Sequence, residues 1–126
     1  MKLTNRKIIA DVNTLLPLSQ RVLPVKAGFV IAKNLNKIED ILTIYNKERQ
    51  KLIEKYCEKD EEGNLKTENN SYEIKEGLKE DFNKESEELL EIENEVDIHK
   101  FSLADLGDTK LPVAELQTIE YMITEE

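Results

Sequence analysis

The strongest constraint on this chain lies in residues 25–57. Read at helical spacing, they place Ile31, Leu35, Ile38, Leu42, Tyr45, Arg49, Leu52 and Tyr56 on one line. The gaps alternate between four and three residues, which is the spacing of a coiled-coil seam. Pro24 precedes the run, and first-turn amides lack helical partners, so its missing N–H costs nothing there. A helix of that length spans roughly 50 Å at about 1.5 Å per residue. A small globule cannot cover it. The spacing therefore predicts a partner helix, from this chain or from another copy.

The rest of the 126 residues agrees with helix: 39% are hydrophobic, 36% are charged, and there is no Trp, four Gly and three Pro. Strands and tight turns draw on more glycine and aromatics. The apolar supply makes a modest core, and such chains often complete their burial by oligomerising. We expect a single domain, 1–126, with residues 46–90 as a projecting helical-hairpin arm.

Along the chain, Leu3, Thr4 and Ile8 have the spacing of a hydrophobic staple around an N-cap. A short N-terminal helix follows, with Ile8, Ile9, Val12, Leu15 and Leu16 on one face, ending at Leu16 because Pro17 disfavours helix before it. The long helix starts apolar nearly all round (Val25, Ala27, Phe29, Val30, Ile31, Ala32), which predicts a buried beginning. Gly28 inside it reads as a close-packing site. After a polar break, Leu65 and Thr67 are spaced to pair with Tyr72 and Ile74 across an Asn69-Asn70 turn, the alternative being a flexible loop. Residues 75–94 then give an acidic helix, antiparallel to the first, completing a long αα-hairpin (25–57 with 75–94) in which Tyr45, Leu52 and Tyr56 meet Leu78, Phe82 and Leu89.

The period then changes to two at Val96 and Ile98, which predicts a short β-strand over 95–101. Its edge needs a partner: the minor hairpin, the connector near Val22, the start of the chain, or another subunit. A C-terminal helix starts at Pro112, with Val113, Leu116, Ile119 and Ile123 on a face and Glu125-Glu126 fraying. The fold class is mainly α.

Net charge is −9, unevenly placed: residues 1–57 balance at +6 and residues 58–126 at −15. Either the halves neutralise each other, or one offers a basic face to phosphate or the other an acidic face that imitates DNA. Arg6, Lys26, Lys33 and Lys37 are the candidates for an anionic ligand. They have no interleaved aromatics to stack on bases, so sequence-specific nucleic-acid binding is not expected. Leu42, Tyr45, Arg49, Leu52 and Tyr56 are the candidate partner or oligomer interface, with Arg49 either snorkelling at the edge or pinning the register.

No catalytic constellation is spelled out, and we expect no enzyme, cofactor or metal. His99 is the only histidine and reads as a partly exposed structural residue in the strand. Cys57 is the only cysteine, which excludes an intrachain disulfide and a thiol metal cluster. The opening residues turn polar at once, and no apolar run reaches signal-peptide or membrane-spanning length. The expected location is the cytoplasm.

Several stretches carry a resemblance: Met1-Lys2-Leu3-Thr4-Asn5-Arg6 with Ile8-Ile9; Leu23-Pro24-Val25-Lys26 running into Ile31-Ala32-Lys33-Asn34; Tyr45-Asn46-Lys47-Glu48-Arg49 with Lys51-Leu52-Ile53-Glu54-Lys55-Tyr56; Glu95-Val96-Asp97-Ile98-His99-Lys100; and Pro112-Val113-Ala114-Glu115-Leu116. In these the chain resembles a family of small proteins of unknown function encoded by bacteriophages of Gram-positive bacteria. The resemblance implies a phage origin and no catalytic residue or cofactor. In that setting the expected function is a non-enzymatic inhibitor of host defence, a homo-oligomer that occupies a host protein or sequesters an anionic signal molecule. The alternative is a virion structural or assembly protein of the head or tail.

Overall fold

The computed structural model describes residues 1–68 and 71–124. The expected Asn69-Asn70 turn and the fraying Glu125 and Glu126 lie outside them. The elements run β1 (Lys2–Thr4), α1 (Asn5–Ser19), α2 (Val25–Tyr56), β2 (Thr67–Glu68), β3 (Ser71–Tyr72), α3 (Lys79–Leu90), β4 (Glu93–Glu95) and α4 (Val113–Thr118), with 3₁₀ turns at Leu103–Leu106 and Glu120–Met122. The protein is mainly helical, as composition and spacing predict. It divides into two units, Met1–Leu42 with Glu93–Glu126, and Thr43–Ile92.

In the first unit, Thr4 caps α1 by accepting the Lys7 N–H at 3.1 Å, and Ile8, Val12, Leu15 and Leu18 are buried along one stripe. The helix does not stop at Leu16. It continues through Pro17 to Ser19, because the bias against helix before a proline is only a preference and buried Leu18 anchors the last turn in the core. From α2 come Ala27, Ile31, Leu35 and Ile38, and from the C-terminal segment Phe101, Leu106, Ile119 and Met122.

Strand β1 pairs antiparallel with β4, Lys2 opposite Glu95 and Thr4 opposite Glu93. The start of the chain is thus the partner, and the ladder lies slightly earlier than residues 95–101. Beyond it the backbone changes partners. The Val96 N–H donates to the Met1 carbonyl at 2.8 Å, the His99 backbone is held by a side chain, and Phe101 forms a parallel bridge with Ile123. Val96 and Phe101 are buried and Ile98 half-buried, but His99 is half-buried too and Phe101 falls out of the two-residue step, so burial follows the apolar residues here and not a strict strand alternation.

The last helix is shorter than its apolar spacing suggests. It ends at Thr118, Val113 faces solvent, and Ile119 and Met122 are buried beyond it. The helix gives way to extended backbone at Ile123. There the Thr124 N–H donates to Phe101 O at 2.8 Å, and the Phe101 N–H donates to Met122 O at 2.9 Å.

In the second unit, residues 43–56 of α2 and α3 run antiparallel. Lys55 meets Glu85 at 3.5 Å, and the Tyr56 and Phe82 rings meet edge-on with centroids 6.0 Å apart. Helix α3 starts at Lys79, not residue 75, because Glu76 and Gly77 form a turn in which Gly77 has φ 81°, a conformation glycine adopts without a Cβ penalty. At the end of the hairpin, Thr67 pairs with Tyr72 as expected, but Ile74 pairs with Cys57 and Leu65 with Lys59. Three strand segments meet in a closed ring of backbone bonds: Glu58 N–H to Glu73 O at 2.8 Å, Glu73 N–H to Lys66 O at 3.1 Å, and Lys66 N–H to Glu58 O at 2.9 Å. Each segment uses the groups the other two leave unpaired. Ile53, Tyr56 and Cys57 are the buried apolar residues here.

Candidate functional site

The start of α2 is not buried all round. Its core face carries Ala27 and Ile31, while Val22 just before it and Val25 and Phe29 on its opposite face are 100%, 89% and 64% exposed. An apolar residue on every side was legible in the sequence. One side of it faces solvent, because the first unit supplies core for only one stripe of the helix. Val25 and Phe29, whose apolar surroundings in the sequence predict burial, instead form an exposed surface with Val22 of the connector.

Of the candidate anion residues, Lys26 and Lys33 lie beside this edge on α2 and Lys37 one turn further on. Lys26, Lys33 and Lys37 share one face of α2 by their spacing of seven and four residues. Lys33 Nζ stands 5.6 Å from the centre of the Phe29 ring, a cation–π distance. Lys26 lies 3.6 Å from Asp105 Oδ2. Lys37 donates to the Asp97 carbonyl at 2.7 Å, contacts His99 Nε2 at 3.1 Å and sits 3.6 Å from Asp97 Oδ2. Arg6 stands on a different helix, exposed in the first turn of α1. Basic residues of the first half repeatedly meet acidic residues of the second: Lys2 with Glu93, Arg21 with Glu115, Lys26 with Asp105 and Lys55 with Glu85.

The candidate interface residues fall in two places. Leu42 is half-buried against the core of the first unit. Tyr45, Arg49, Leu52 and Tyr56 belong to the hairpin, where Tyr45, Arg49 and Leu52 line a cleft of about 230 Å³ with Phe82, Ser86, Leu89 and Leu90 of α3. Another face of the hairpin opens into a groove of about 450 Å³, lined by Glu48, Lys51, Leu52, Lys55, Glu85, Glu88, Leu89 and Ile92. The Tyr56 hydroxyl, and then the Lys55 ammonium, hold the Glu85 carboxyl below the usual carboxylate range. Glu85 in turn raises Tyr56, and Tyr56 and then Glu85 raise Lys55. No residue of α3 is buried.

The groups with chemical potential are engaged elsewhere. Asn34 and Lys37 hold His99. Cys57 is fully buried, and burial pushes its thiol up, away from nucleophilic reactivity. Asp11, 5% exposed, accepts from the Tyr121 hydroxyl at 2.9 Å and pairs with Lys7 at 3.1 Å. Among the described residues, no three His, Cys, Asp or Glu side chains are grouped to hold a metal ion, and no helix is long and apolar enough to cross a membrane. The site is therefore described by its surfaces: an apolar edge flanked by lysines in one unit and a charged-walled groove in the other. No family model matches the chain, and neither a curated protein nor a solved structure matches it.

Proposed function

We propose that this chain is a phage-encoded, non-enzymatic binding protein that inhibits a host defence system in the host cytoplasm by occupying a host protein. The observation that carries this reading is the edge of Val22, Val25 and Phe29, exposed to water at the start of α2. Neighbouring large apolar side chains in solvent mark a surface that a partner covers. Arg21, Lys26 and Lys33 stand beside it in sequence, so the fitting partner presents an apolar pocket rimmed by carboxylates. The cations steer encounter and the apolar anchors supply the affinity. The phage origin and the defence role rest on the resemblance of the sequence to small phage proteins.

The test is affinity capture from infected host cells with the native chain and with a Val25→Asp/Phe29→Asp variant. Both positions are exposed, so the variant keeps its helical circular dichroism. A host protein retained by the native chain and released by the variant supports the reading. Equal retention by both removes this edge from the interface. A nucleotide extracted from the eluate redirects the function to capture of an anionic molecule. Recovery of the chain in purified particles redirects it to the virion.

A further inference from the structure

We propose that the groove on the hairpin unit is the docking site for the same face of a second copy of this chain, so that two hairpins form an antiparallel four-helix bundle. This concerns a surface other than the Val22–Val25–Phe29 edge and stands independently of it.

Three observations converge on this occupant. First, the hairpin's helices form a single layer, and no residue of α3 is buried. Leu52 and Leu89 are half-buried in the groove floor, and Ile92 at its end is 50% exposed. Ile44, one turn before Glu48 on the same face of α2, is 64% exposed. Helical layers of this kind reach stability by packing a second layer on the open face.

Second, the two walls differ in charge balance. The α2 wall presents Lys51 and Lys55 with Glu48, which pairs with Lys51 at 2.9 Å, whereas the charged residues of the α3 wall are Glu85 and Glu88.

Third, the charges are in register. Lys55 and Glu85 stand level, 3.5 Å apart. Lys51 lies one turn before Lys55 and Glu88 about one turn after Glu85, so in antiparallel helices they too share a level. A two-fold axis parallel to the helices keeps every level unchanged and lays each α2 wall over the other copy's α3 wall. Lys55 then faces Glu85 of the other copy, Lys51 faces Glu88, and the isoleucines gather at one end. The patch is self-complementary, as an isologous interface must be, and neighbouring helices all run antiparallel.

The experiment measures mass by sedimentation equilibrium at about 50 μM, above the Kd expected of a small specific interface. The native chain is expected at twice its monomer mass of 14.6 kDa. Ile44→Asp/Ile92→Asp should weaken association by at least roughly tenfold with unchanged helical circular dichroism. Orientation is read by mixing a Lys51→Cys chain with a Glu88→Cys chain under mild oxidation. The expected product is the mixed disulfide, in preference to either like-with-like product. A monomeric native chain overturns the proposal. So does a dimer insensitive to Ile44→Asp/Ile92→Asp, or a predominance of like-with-like disulfides. If the double variant loses helicity, Ile92→Asp alone, at the half-exposed end of the hairpin, decides the same question.

Discussion

Asn34 grips the backbone of His99 on both sides: its side-chain amide donates to the His99 carbonyl at 2.9 Å, and its carbonyl oxygen accepts the His99 N–H at 2.9 Å. A helix residue with no exposed surface thereby does what a neighbouring strand would do for the extended segment after β4. Asn34→Ala leaves a buried donor and a buried acceptor unpaired, at a cost of about 3 kcal/mol. Asn34→Asp removes the donor and buries a carboxylate, so it should cost more. His99→Ala keeps both backbone bonds and should cost less than either. Urea denaturation of the three variants checks the order.

Tyr121 is tied to the interior by its hydroxyl, which donates to Asp11 Oδ2 at 2.9 Å beneath the Lys7 ammonium. Burial first, and the Asp11 charge second, push the phenol up. A phenol raised in the folded state stabilises the fold below its ordinary value of about 10, and that contribution is lost as pH climbs above it. The protein should therefore unfold more readily in alkali, and Tyr121→Phe should flatten that dependence. At neutral pH the same substitution should cost about 1–3 kcal/mol by leaving buried Asp11 without one of its donors. Thermal melts at neutral and alkaline pH read both effects.

Asp105 works in the opposite pH direction. Its carboxylate accepts the Ser102 N–H at 2.9 Å in the capping box of the 3₁₀ turn, with Lys26 nearby at 3.6 Å. The Ser102 backbone bond first, then the Ser102 side chain and the Lys26 charge, hold the carboxyl below its ordinary value. A lowered carboxyl contributes stability above that ordinary value, about 3.9, and loses it as pH falls through the lower folded value. Asp105→Asn should be less stable than the native chain at neutral pH and should converge with it in acid. Parallel melts across the acid range test the convergence.

Much of this architecture is written in spacing. The seam from Ile31 to Tyr56 is a periodicity that burial follows except at exposed Arg49, and the Thr4 cap is a local signal that the Lys7 N–H answers. What could not be read is which backbone meets which. Residues 97–101 look like a strand, yet the Asn34 side chain, the Met122 carbonyl and the Thr124 N–H satisfy part of their backbone, a choice made by tertiary packing. The candidate site fails to show for a related reason. Val25 and Phe29 are as apolar as Ala27 and Ile31, and periodicity cannot say which of two apolar faces the core has enough material to cover.

Gly28 separates the two kinds of inference by the sign of one measurement. Its sequence context, a glycine among apolar residues inside a long helix, argues for a close packing contact that a methyl group would break. The structure has no such contact. A Cβ at this position would stand 3.7 Å from Leu23 Cβ and 3.9 Å from the Leu23 carbonyl oxygen, both ordinary van der Waals distances. With space available, the remaining effects favour alanine: helical propensity and the lower entropy of the unfolded chain together contribute up to about 1 kcal/mol. Gly28→Ala should raise the melting temperature while Val25 and Phe29 keep their exposure. A lowered melting temperature would place a neighbour closer to Gly28 than Leu23 stands here, and would restore the packing role that the sequence alone suggests.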